Sequence, residues 1–519
     1  MSILGRVTSA IKAFRAPVGS RLINADSLFP LGIRGASHEA TTDGNETVNL
    51  WAGADGLDAD SSNSLNVRRK YRNRSRSERT NSGQCAGIIG TQANYVIGKG
   101  PKLRMQTGSP AFNAMVEERW KSWAKAVELP RKLRTMSQAK TGDGEAIALL
   151  ISNPGVNHVV KLDVVLVECD RLTAPTMRSD DRYYIDGIHF DEFGNAIKYD
   201  ILDRHPGAAW FQSSAAEYTT YPARFVCHWF TENRPGQHRG IPDIGPSLNT
   251  FGTARRWREA VVACAETAAD FTAIVEMGIT NEGNDEVAPF TTLPIEKRTL
   301  MASPAGASIH QMRAEQPTAN YKMLNDSLVS DQARPLHMPR NIAAADSSGY
   351  SFSGGMLDHQ TYFVSVEVDD QECEMSVVDK VFAAWFLEAV PAYTWGVPAS
   401  PAPRHGWAWP GRPKIDPKKT ADARKVNLST GSTTPSEIAA EDGEDYEDRE
   451  ARAAVDYGIT VEEYRKKLID SNFQKAGGAP TAPSGDEGED EENEENEENE
   501  ENAVAATNRI SYWGDNTHE

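Results

Sequence analysis

The sequence predicts an α+β protein that folds as more than one structural unit. Its 519 residues exceed the roughly 250–300 that a single hydrophobic core supports. Apolar residues recur at helical spacing before residue 140 and again after residue 250, whereas residues 157–232 carry the alternation and turn residues of β-strands. These patterns indicate a first helical region, a β-rich region and a second helical region.

The first helical region follows a segment with little periodicity. Residues 1–66 are rich in Gly, Ser, Asn, Asp and Ala, and we expect a flexible N-terminal arm there. Helices should follow at Cys85–Val96, Ser109–Ala126 and Arg131–Lys140, and the Gly-rich stretch Thr141–Gly144 predicts a turn.

The β-rich region should begin with buried strands at Glu145–Ser152 and Val159–Glu168. Tyr183–Phe190 and Ala196–Leu202 flank a stretch of turn residues, DEFGN, and predict a hairpin. Phe225–Phe230 predicts a further short strand.

The second helical region opens with an Ala-rich helix at Arg255–Met277, which Gly278 should end. After an irregular stretch, 279–316, a helix is expected at Asn320–Ala333, stopped by the prolines that follow. A flexible polar loop, Ser347–Gly355, should precede a long helix at Met356–Val390. The apolar face of that helix should carry Phe363, Val366, Met375, Val378, Phe382 and Phe386.

The C-terminal region predicts short polar helices at Thr420–Val426, Thr434–Asp442 and Tyr446–Lys467. Thr434 and Glu437 have the spacing of a capping box, and Pro435 suits the first helical position. From about residue 471 the chain is of low complexity and should be disordered.

Charge is concentrated in this acidic tail. Asp486–Glu501 holds twelve acidic residues among sixteen, so the net charge of −19 becomes −19 + 12 = −7 for the rest of the chain. A mildly acidic body argues against tight, general DNA binding, which depends on Lys and Arg at phosphates. It is compatible with a protein past which DNA slides.

The five cysteines are far apart and form no CxxC pair, so we expect buried thiols in a reducing compartment, without disulfides or zinc. The longest apolar runs fall far short of the roughly 18 residues that span a bilayer, so no membrane association is expected.

No pattern for catalysis stands out, and we expect neither an enzyme nor a cofactor. The chain contains no Walker A loop and no HExxH. Asp203 with His205, Asp358 with His359, and Asp143 with Glu145 could form a metal or acid–base site. Turn chemistry and helix starts explain these residues better.

Basic residues give the strongest nucleic-acid signal. If the run from Arg68 to Arg79 is helical, its arginines are distributed nearly all round the helix axis. A helix that is solvated or lies at a subunit interface is therefore favoured over one that contacts phosphates. The candidates for phosphate or subunit contacts are Arg68, Arg69, Lys70, Arg72, Arg74, Arg76, Arg255, Arg256 and Arg258.

Five phrases, in this order, resemble portal proteins of the lambda-like tailed-phage family. They are TGDGE at Thr141–Glu145, VECDRL at Val167–Leu172, IDGIHFDEFG at Ile185–Gly194, HWF at His228–Phe230 followed by RPGQHRG at Arg234–Gly240 and Pro242, and DSSGYSFSGG at Asp346–Gly355. The resemblance covers about residues 67–470.

The resemblance implies a structural subunit in a ring, typically of about twelve copies, at one capsid vertex. Double-stranded DNA would pass through the ring during packaging and ejection. Further expected partners are a terminase-type packaging motor and capsid, scaffold and neck or tail proteins. The protein would be located in the virion, and in the host cytoplasm during assembly.

The resemblance also implies a portal-type division of the chain. It assigns a wing to 67–250, stem helices to 251–278 and 317–346, a clip to 279–316, and a long helix with the crown to 356–470. A DNA-channel loop would consist of Ser347, Ser348, Gly349, Tyr350, Ser351, Phe352, Ser353, Gly354 and Gly355.

Two alternatives remain at this point. A metal-dependent DNA-processing enzyme would use the scattered Asp and His residues and cut DNA when a divalent metal is added. A monomeric nucleic-acid-binding module would use Arg68–Arg79 and bind in a salt-sensitive way.

Overall fold

The structure is a computed structural model that describes residues 56–175, 180–208, 217–270, 274–277, 307–310, 320–412, 417–444 and 446–473. The chain divides into two units, residues 1–64 and 65–519. Most of the predicted N-terminal arm, most of the 279–316 stretch and the acidic tail from residue 474 lie outside the described residues.

The first unit contains one described helix, α1 (Ala59–Ser62), capped by the Asp58 side chain. The helices of the second unit are α2 (Leu65–Asn81), α3 (Gly83–Val96), α4 (Pro110–Ala126), α5 (Leu129–Asp143), α6 (Leu248–Asp270), α7 (Tyr321–Ala333), α8 (Arg340–Ala344), α9 (Phe352–Cys373), α10 (Asp379–Tyr393), α11 (Pro417–Thr430), α12 (Pro435–Glu441), α13 (Tyr446–Tyr457) and α14 (Val461–Phe473).

Within the residues that the structure describes, the strands form four antiparallel sheets, ordered β3-β2-β8, β4-β5-β6-β7, β1-β11 and β9-β10. They are β1 (Lys102–Met105), β2 (Ala146–Ser152), β3 (Leu162–Val167), β4 (Tyr184–Ile185), β5 (Ile188–Phe190), β6 (Ala196–Leu202), β7 (Tyr218–Pro222), β8 (Val226–Trp229), β9 (Ile274–Met277), β10 (Ala307–His310) and β11 (His405–Ala408).

Strand β2 lies between two hydrophobic cores, which explains its continuous apolar sequence. Ala146, Ala148 and Leu150 face the main core, which also holds residues of α3, α4, α5 and α10. Ile147 and Leu149 face the opposite way, into a smaller core shared with the four-stranded sheet. Because successive side chains of a strand point to opposite faces, the three-stranded sheet lies between a helical layer and a second sheet.

Aromatic residues dominate the main core. Trp120 contacts Phe382, Trp385 and Trp407 with ring centroids 5.3–5.6 Å apart. The buried indole of Trp123 donates a 2.9 Å hydrogen bond to the Leu162 carbonyl oxygen. Trp120, Trp123 and Trp385 are therefore packing residues of the core.

The predicted long helix is confirmed, as α9 and α10 joined by a π-helical segment, Glu374–Val378. Val366, Val378, Phe382 and Phe386 of the predicted apolar face are buried. Met375 is exposed, which corrects the prediction. The capping box of α12 is also confirmed.

Several predicted boundaries were wrong, because a turn, a helix cap or sheet pairing overrides the local pattern. The helix expected at Arg255–Met277 ends at Asp270, and Ile274–Met277 pairs instead with β10. The strand expected at Tyr183–Phe190 is interrupted by a tight turn at Asp186 and Gly187, where φ is 39° and 89°.

The helix expected at Tyr446–Lys467 is two helices, because Gly458 adopts a φ of 65° between them. The loop expected at Ser347–Gly355 ends early, since α9 begins at Phe352 and the Ser351 hydroxyl accepts a hydrogen bond from the Gly354 amide. Asp358 therefore lies in the second turn of α9.

Four of the five cysteines are buried thiols as predicted, whereas Cys264 is exposed. Within the described ranges, no helix has the length and apolarity needed to cross a membrane.

Candidate functional site

The exposed part of the candidate channel loop is a compact turn between α8 and α9. The Asp346 carboxylate accepts a 2.8 Å hydrogen bond from the Ser348 amide, and this hydrogen bonding lowers the pKa of Asp346. The Tyr350 amide donates to the Ser347 carbonyl oxygen, and Gly349 supplies the positive φ of 79°. The side chains of Ser347 and Ser348 consequently face solvent.

Tyr350 anchors this turn to the rest of the protein. The Arg340 Nε donates a 3.2 Å hydrogen bond to the Tyr350 hydroxyl, and its guanidinium lies 4.9 Å from the ring centroid. Arg340 also forms a 3.0 Å ion pair with Asp326 of α7. The loop is thus tied to α7 through one arginine.

Chemically, the loop offers hydroxyl and backbone groups without a positive charge. Ser347–Gly355 contains no Lys or Arg. Such groups can hydrogen bond to phosphate oxygens, but they release few counterions and so hold DNA weakly.

The basic helix α2 divides its charges between two faces. Arg68 and Arg72 are buried, and Arg76 is half-buried on the same face. This corrects the expectation that the arginines of the run are mainly solvated. The exposed basic residues are Arg69, Lys70 and Arg74.

The buried face of α2 joins an ion cluster centred on Glu145. Arg239 makes a two-pronged contact with that carboxylate, with Nε 2.8 Å from Oε1 and Nη2 2.9 Å from Oε2. Arg72 Nη2 lies 3.1 Å from Oε2, and the Gly240 amide donates to Oε1 at 2.6 Å. The Glu145 carboxylate is therefore fully engaged by cationic and amide donors.

Three more carboxylates complete this cluster. Asp186, in the β4–β5 turn, pairs with both Arg68 and Arg239. Asp170 lies 3.5 Å from Arg72 and 2.7 Å from Arg76, which also contacts Asp143 at 2.8 Å. We call these eight residues the ion cluster: Arg68, Arg72, Arg76, Asp143, Glu145, Asp170, Asp186 and Arg239.

Burial and neighbouring charges shift the pKa values of Glu145 and Arg68 in the cluster and of the adjacent His228. Burial opposes ionisation of Glu145, but the Arg239 and Arg72 guanidiniums outweigh it and hold the pKa of Glu145 well below its usual range. Burial, aided by the charge of Arg239, lowers the pKa of Arg68 to about 10. His228, with its Nε2 3.9 Å from Glu145, is kept neutral because burial lowers its pKa to about 4.

The ion cluster unites four of the five phrases on which the family resemblance rests. Glu145, Asp170, Asp186 and Arg239 each belong to a different phrase. Sequence reasoning missed this convergence, although Arg68, Arg72 and Arg76 recur at the four-residue spacing of one helix face. That spacing was the available signal.

A second buried charge joins α5 to α9. The Lys140 ammonium lies 2.7 Å from Asp369, 3.5 Å from Asp243 and 3.7 Å from Glu372. Burial raises the pKa of Asp243 to about 6, despite the nearby ammonium.

Arg255, Arg256 and Arg258 lie in the middle of α6, not at its start, and two of them are engaged within the protein. Arg255 forms a 2.8 Å ion pair with Glu78 of α2, and Arg258 donates to the Asn325 side chain at 2.7 Å and 3.2 Å. Arg256 is exposed.

The candidate metal and acid–base residues do not converge on a site. Asp143 and Glu145 belong to the ion cluster, Asp203 accepts a hydrogen bond from Thr219, and His359 contacts Asn341 at 3.2 Å. Over the described part of the chain, no group of three or more His, Cys, Asp or Glu residues could hold a metal ion.

Comparison with known proteins finds portal proteins. The family model "Phage portal protein, lambda family" matches residues 50–363, which include the ion cluster and the candidate loop. A curated relative, the probable portal protein of Halomonas phage phiHAP-1, is 23% identical over 325 residues. That alignment covers 59% of this chain and spans 61% of the length of the relative.

Two solved structures are also similar. A chain in the virion of the native gene transfer agent particle is 12% identical, with 69% of this chain and 89% of that chain covered and a TM-score of 0.38. An HK97-family phage portal protein from Corynebacterium diphtheriae is 13% identical, with 58% and 92% covered and a TM-score of 0.29. Since the family model matches well over half of its residues, the chain belongs to the lambda family of phage portal proteins.

Proposed function

We propose that this protein is the structural subunit of a ring at one capsid vertex. The ring would conduct double-stranded DNA during packaging and ejection, and would bind a terminase-type motor, capsid, scaffold and neck or tail proteins. The observation that carries the proposal is the family match over residues 50–363. The protein would occupy the virion, after assembly in the host cytoplasm.

The portal-type division of the chain is part of this proposal. The wing would be 67–250, containing the ion cluster and the two larger sheets. The stem helices would correspond to α6 and α7, which contact each other through the stacked rings of Trp257 and Tyr321, 4.8 Å apart. The clip would lie between them, and the crown would follow the long helix.

The candidate channel loop suits a surface past which DNA slides. Its exposed serines can donate weak hydrogen bonds to phosphates, and it carries no Lys or Arg that would retard the DNA. Arg340 and Tyr350 would hold it in place. On the exposed side of α2, Arg69, Lys70 and Arg74 remain candidates for phosphate or subunit contacts.

An enzymatic function is not favoured. Asp143 and Glu145, two of the acids that a metal site would need, are bound to Arg76 and Arg239 instead. Carboxylates that pair so closely with arginines are not free to take up a metal ion.

The test is the mass of the purified protein by light scattering, followed by negative-stain imaging. We expect a closed ring with a central hole, near 0.7 MDa for about twelve copies of a 56.9 kDa chain. A small oligomer that cuts DNA when magnesium is added would overturn the proposal in favour of an enzyme.

A further inference from the structure

A cavity of about 820 Å³ opens beside the long helix and carries a large excess of negative charge. Among the described residues, eight carboxylates line it, against two basic side chains, those of Arg104 and Arg412. The carboxylates lie on α4 (Glu117), on α9 and the π-helical segment (Glu367, Asp370 and Glu374), and between residues 441 and 448. We call the space that these carboxylates line the acidic cavity.

The most buried of these acids is Asp370, which is 4% exposed. Its Oδ2 pairs with Arg412, whereas its Oδ1 has no hydrogen-bond donor anywhere in the described ranges. Burial outweighs the Arg412 guanidinium and raises the pKa of Asp370 to about 7. A carboxylate oxygen without a donor is unfavourable inside a protein, so a cationic donor at this position would stabilise it.

Two half-buried acids of the acidic cavity also lack compensating charge. The Met105 amide donates a 2.6 Å hydrogen bond to Glu117, and the Trp409 indole donates one of 3.3 Å to Glu374. Burial nevertheless raises the pKa of both carboxyls, and neighbouring acids of the cavity add to the effect at Glu117. Carboxylates from α4 and from the long helix are therefore short of positive charge.

The aromatic lining of the acidic cavity determines which cation fits. Trp407, Trp409 and Tyr446 line it together with the carboxylates. A guanidinium forms paired hydrogen bonds with a carboxylate and stacks on aromatic rings, which an ammonium group does less well. The ligand that suits this lining is therefore an arginine.

Two other classes of ligand do not fit. The volume far exceeds that of one metal ion, and over the described residues no group of three or more His, Cys, Asp or Glu side chains is placed to hold one. Nucleic acid is excluded because the carboxylates would repel its phosphates.

We propose that the acidic cavity binds an arginine side chain of a basic polypeptide segment. The guanidinium would reach Asp370 and the aromatic rings, and further basic residues of the segment would meet the exposed acids Glu367, Glu441 and Glu447. One guanidinium neutralises only one of the surplus charges, so a segment with several basic residues fits better than a single small cation. The site does not depend on the proposed ring.

The test uses tetra-arginine amide that carries a photoreactive benzophenone group. The peptide is titrated into the full chain, crosslinked by light and located by mass spectrometry, because the acidic tail also attracts a basic peptide. The cavity variant, Glu367→Gln with Glu374→Gln, removes two charges of the acidic cavity. The control variant, Glu118→Gln with Glu192→Gln, removes two exposed charges elsewhere.

We expect the cavity variant to need at least tenfold more peptide than the wild type for half-maximal crosslinking at the acidic cavity, and the control variant to match the wild type. Tetra-lysine amide with the same group should need several-fold more than tetra-arginine amide, because an ammonium lacks the planar fork of a guanidinium. The cavity variant should melt at the wild-type temperature or above it, since glutamine at position 374 still accepts from the Trp409 indole and fewer like charges repel each other.

Other results would contradict the proposal. Crosslinks confined to the acidic tail, or equal crosslinking at the cavity in both variants, mean that the acidic cavity does not bind the peptide. Tetra-lysine amide that binds as tightly as tetra-arginine amide excludes recognition of arginine. Spermidine that displaces the peptide at a lower concentration than unlabelled tetra-arginine amide identifies a free polyamine as the ligand. A lower melting temperature of the cavity variant means that these carboxylates stabilise the fold and do not serve a ligand. The ring is tested separately by light scattering, so each proposal can fail alone.

Discussion

Glu145 neutralises two buried arginines, so its replacement should lower the stability of the protein. In Glu145→Gln the guanidiniums of Arg72 and Arg239 lose their shared counter-charge inside the protein. We expect the free energy of unfolding, measured with denaturant, to fall by about 3–5 kcal/mol. Glu118→Gln, which breaks an exposed pair with Lys121, should change it by less than about 1 kcal/mol. Equal losses in the two variants would contradict the central role of Glu145.

His228 should make stability depend on pH. Burial lowers its pKa from 6.5 to about 4, so the unfolded chain takes up a proton that the folded protein refuses. Its contribution is therefore full above about pH 6.5 and is lost as the pH falls towards 4. The measurement is the melting temperature of wild type and His228→Gln across this range.

The comparison between those two proteins is essential, because two buried acids titrate in the same pH range and change the stability in the opposite direction. Burial raises the pKa of Asp243 to about 6 and that of Asp370 to about 7. Both acids are common to the two proteins, so the difference between the curves isolates His228. Parallel curves from pH 7 to 4 would exclude the imidazole as the cause.

At the scale of elements, two glycines allow the turn between α5 and β2 to touch the segment before α6. A Cβ on Gly240 would lie 2.0 Å from the Gly144 carbonyl oxygen. We expect Gly240→Ala to lose about 1–3 kcal/mol of stability or more, since the backbone must move. Gly87→Ala, with no atom within 4 Å, should instead gain roughly 0.5–1 kcal/mol within α3. Denaturant unfolding of both variants checks this, and a neutral Gly240→Ala would contradict it.

Elements with a strong local pattern could be predicted from the sequence. The long helix, the capped helix α12 and strand β2 follow from periodicity, caps and apolar runs. The end of α6 could not, because Ile274–Met277 pairs with β10, about thirty residues away in the chain. The acidic partners of the ion cluster could not either: the spacing of the α2 arginines indicates a shared face, but Arg68 and Arg239 meet Asp186 across separations of more than fifty residues.

At the scale of the whole molecule, the proposed passage of DNA depends on how weakly the ring holds it. Ser348→Lys would place one extra cation on each channel loop. We expect rings of unchanged mass that bind DNA more tightly, with a salt dependence steeper by about 0.9 for each added phosphate contact, and that package DNA more slowly. Binding is measured by fluorescence anisotropy at several salt concentrations.

Ser432→Lys, at an exposed position after α11, is the matched control and should leave DNA binding and packaging unchanged. If both variants bind and package DNA equally well, the loop at Ser347–Gly355 does not contact the DNA, even if the ring forms.

The ion cluster has a consequence for genetic exchange. Its charges come from helix α2, from the residues around Glu145, from the β4–β5 turn and from Arg239, so they are spread over most of the first half of the gene. A crossover between the codons for residues 76 and 239 would join cations from one parent to anions from another. Hybrids with a crossover inside this stretch should therefore survive only where both parents carry matching charges, and viable breakpoints between divergent relatives should cluster before the codon for Arg68 or after that for Gly240.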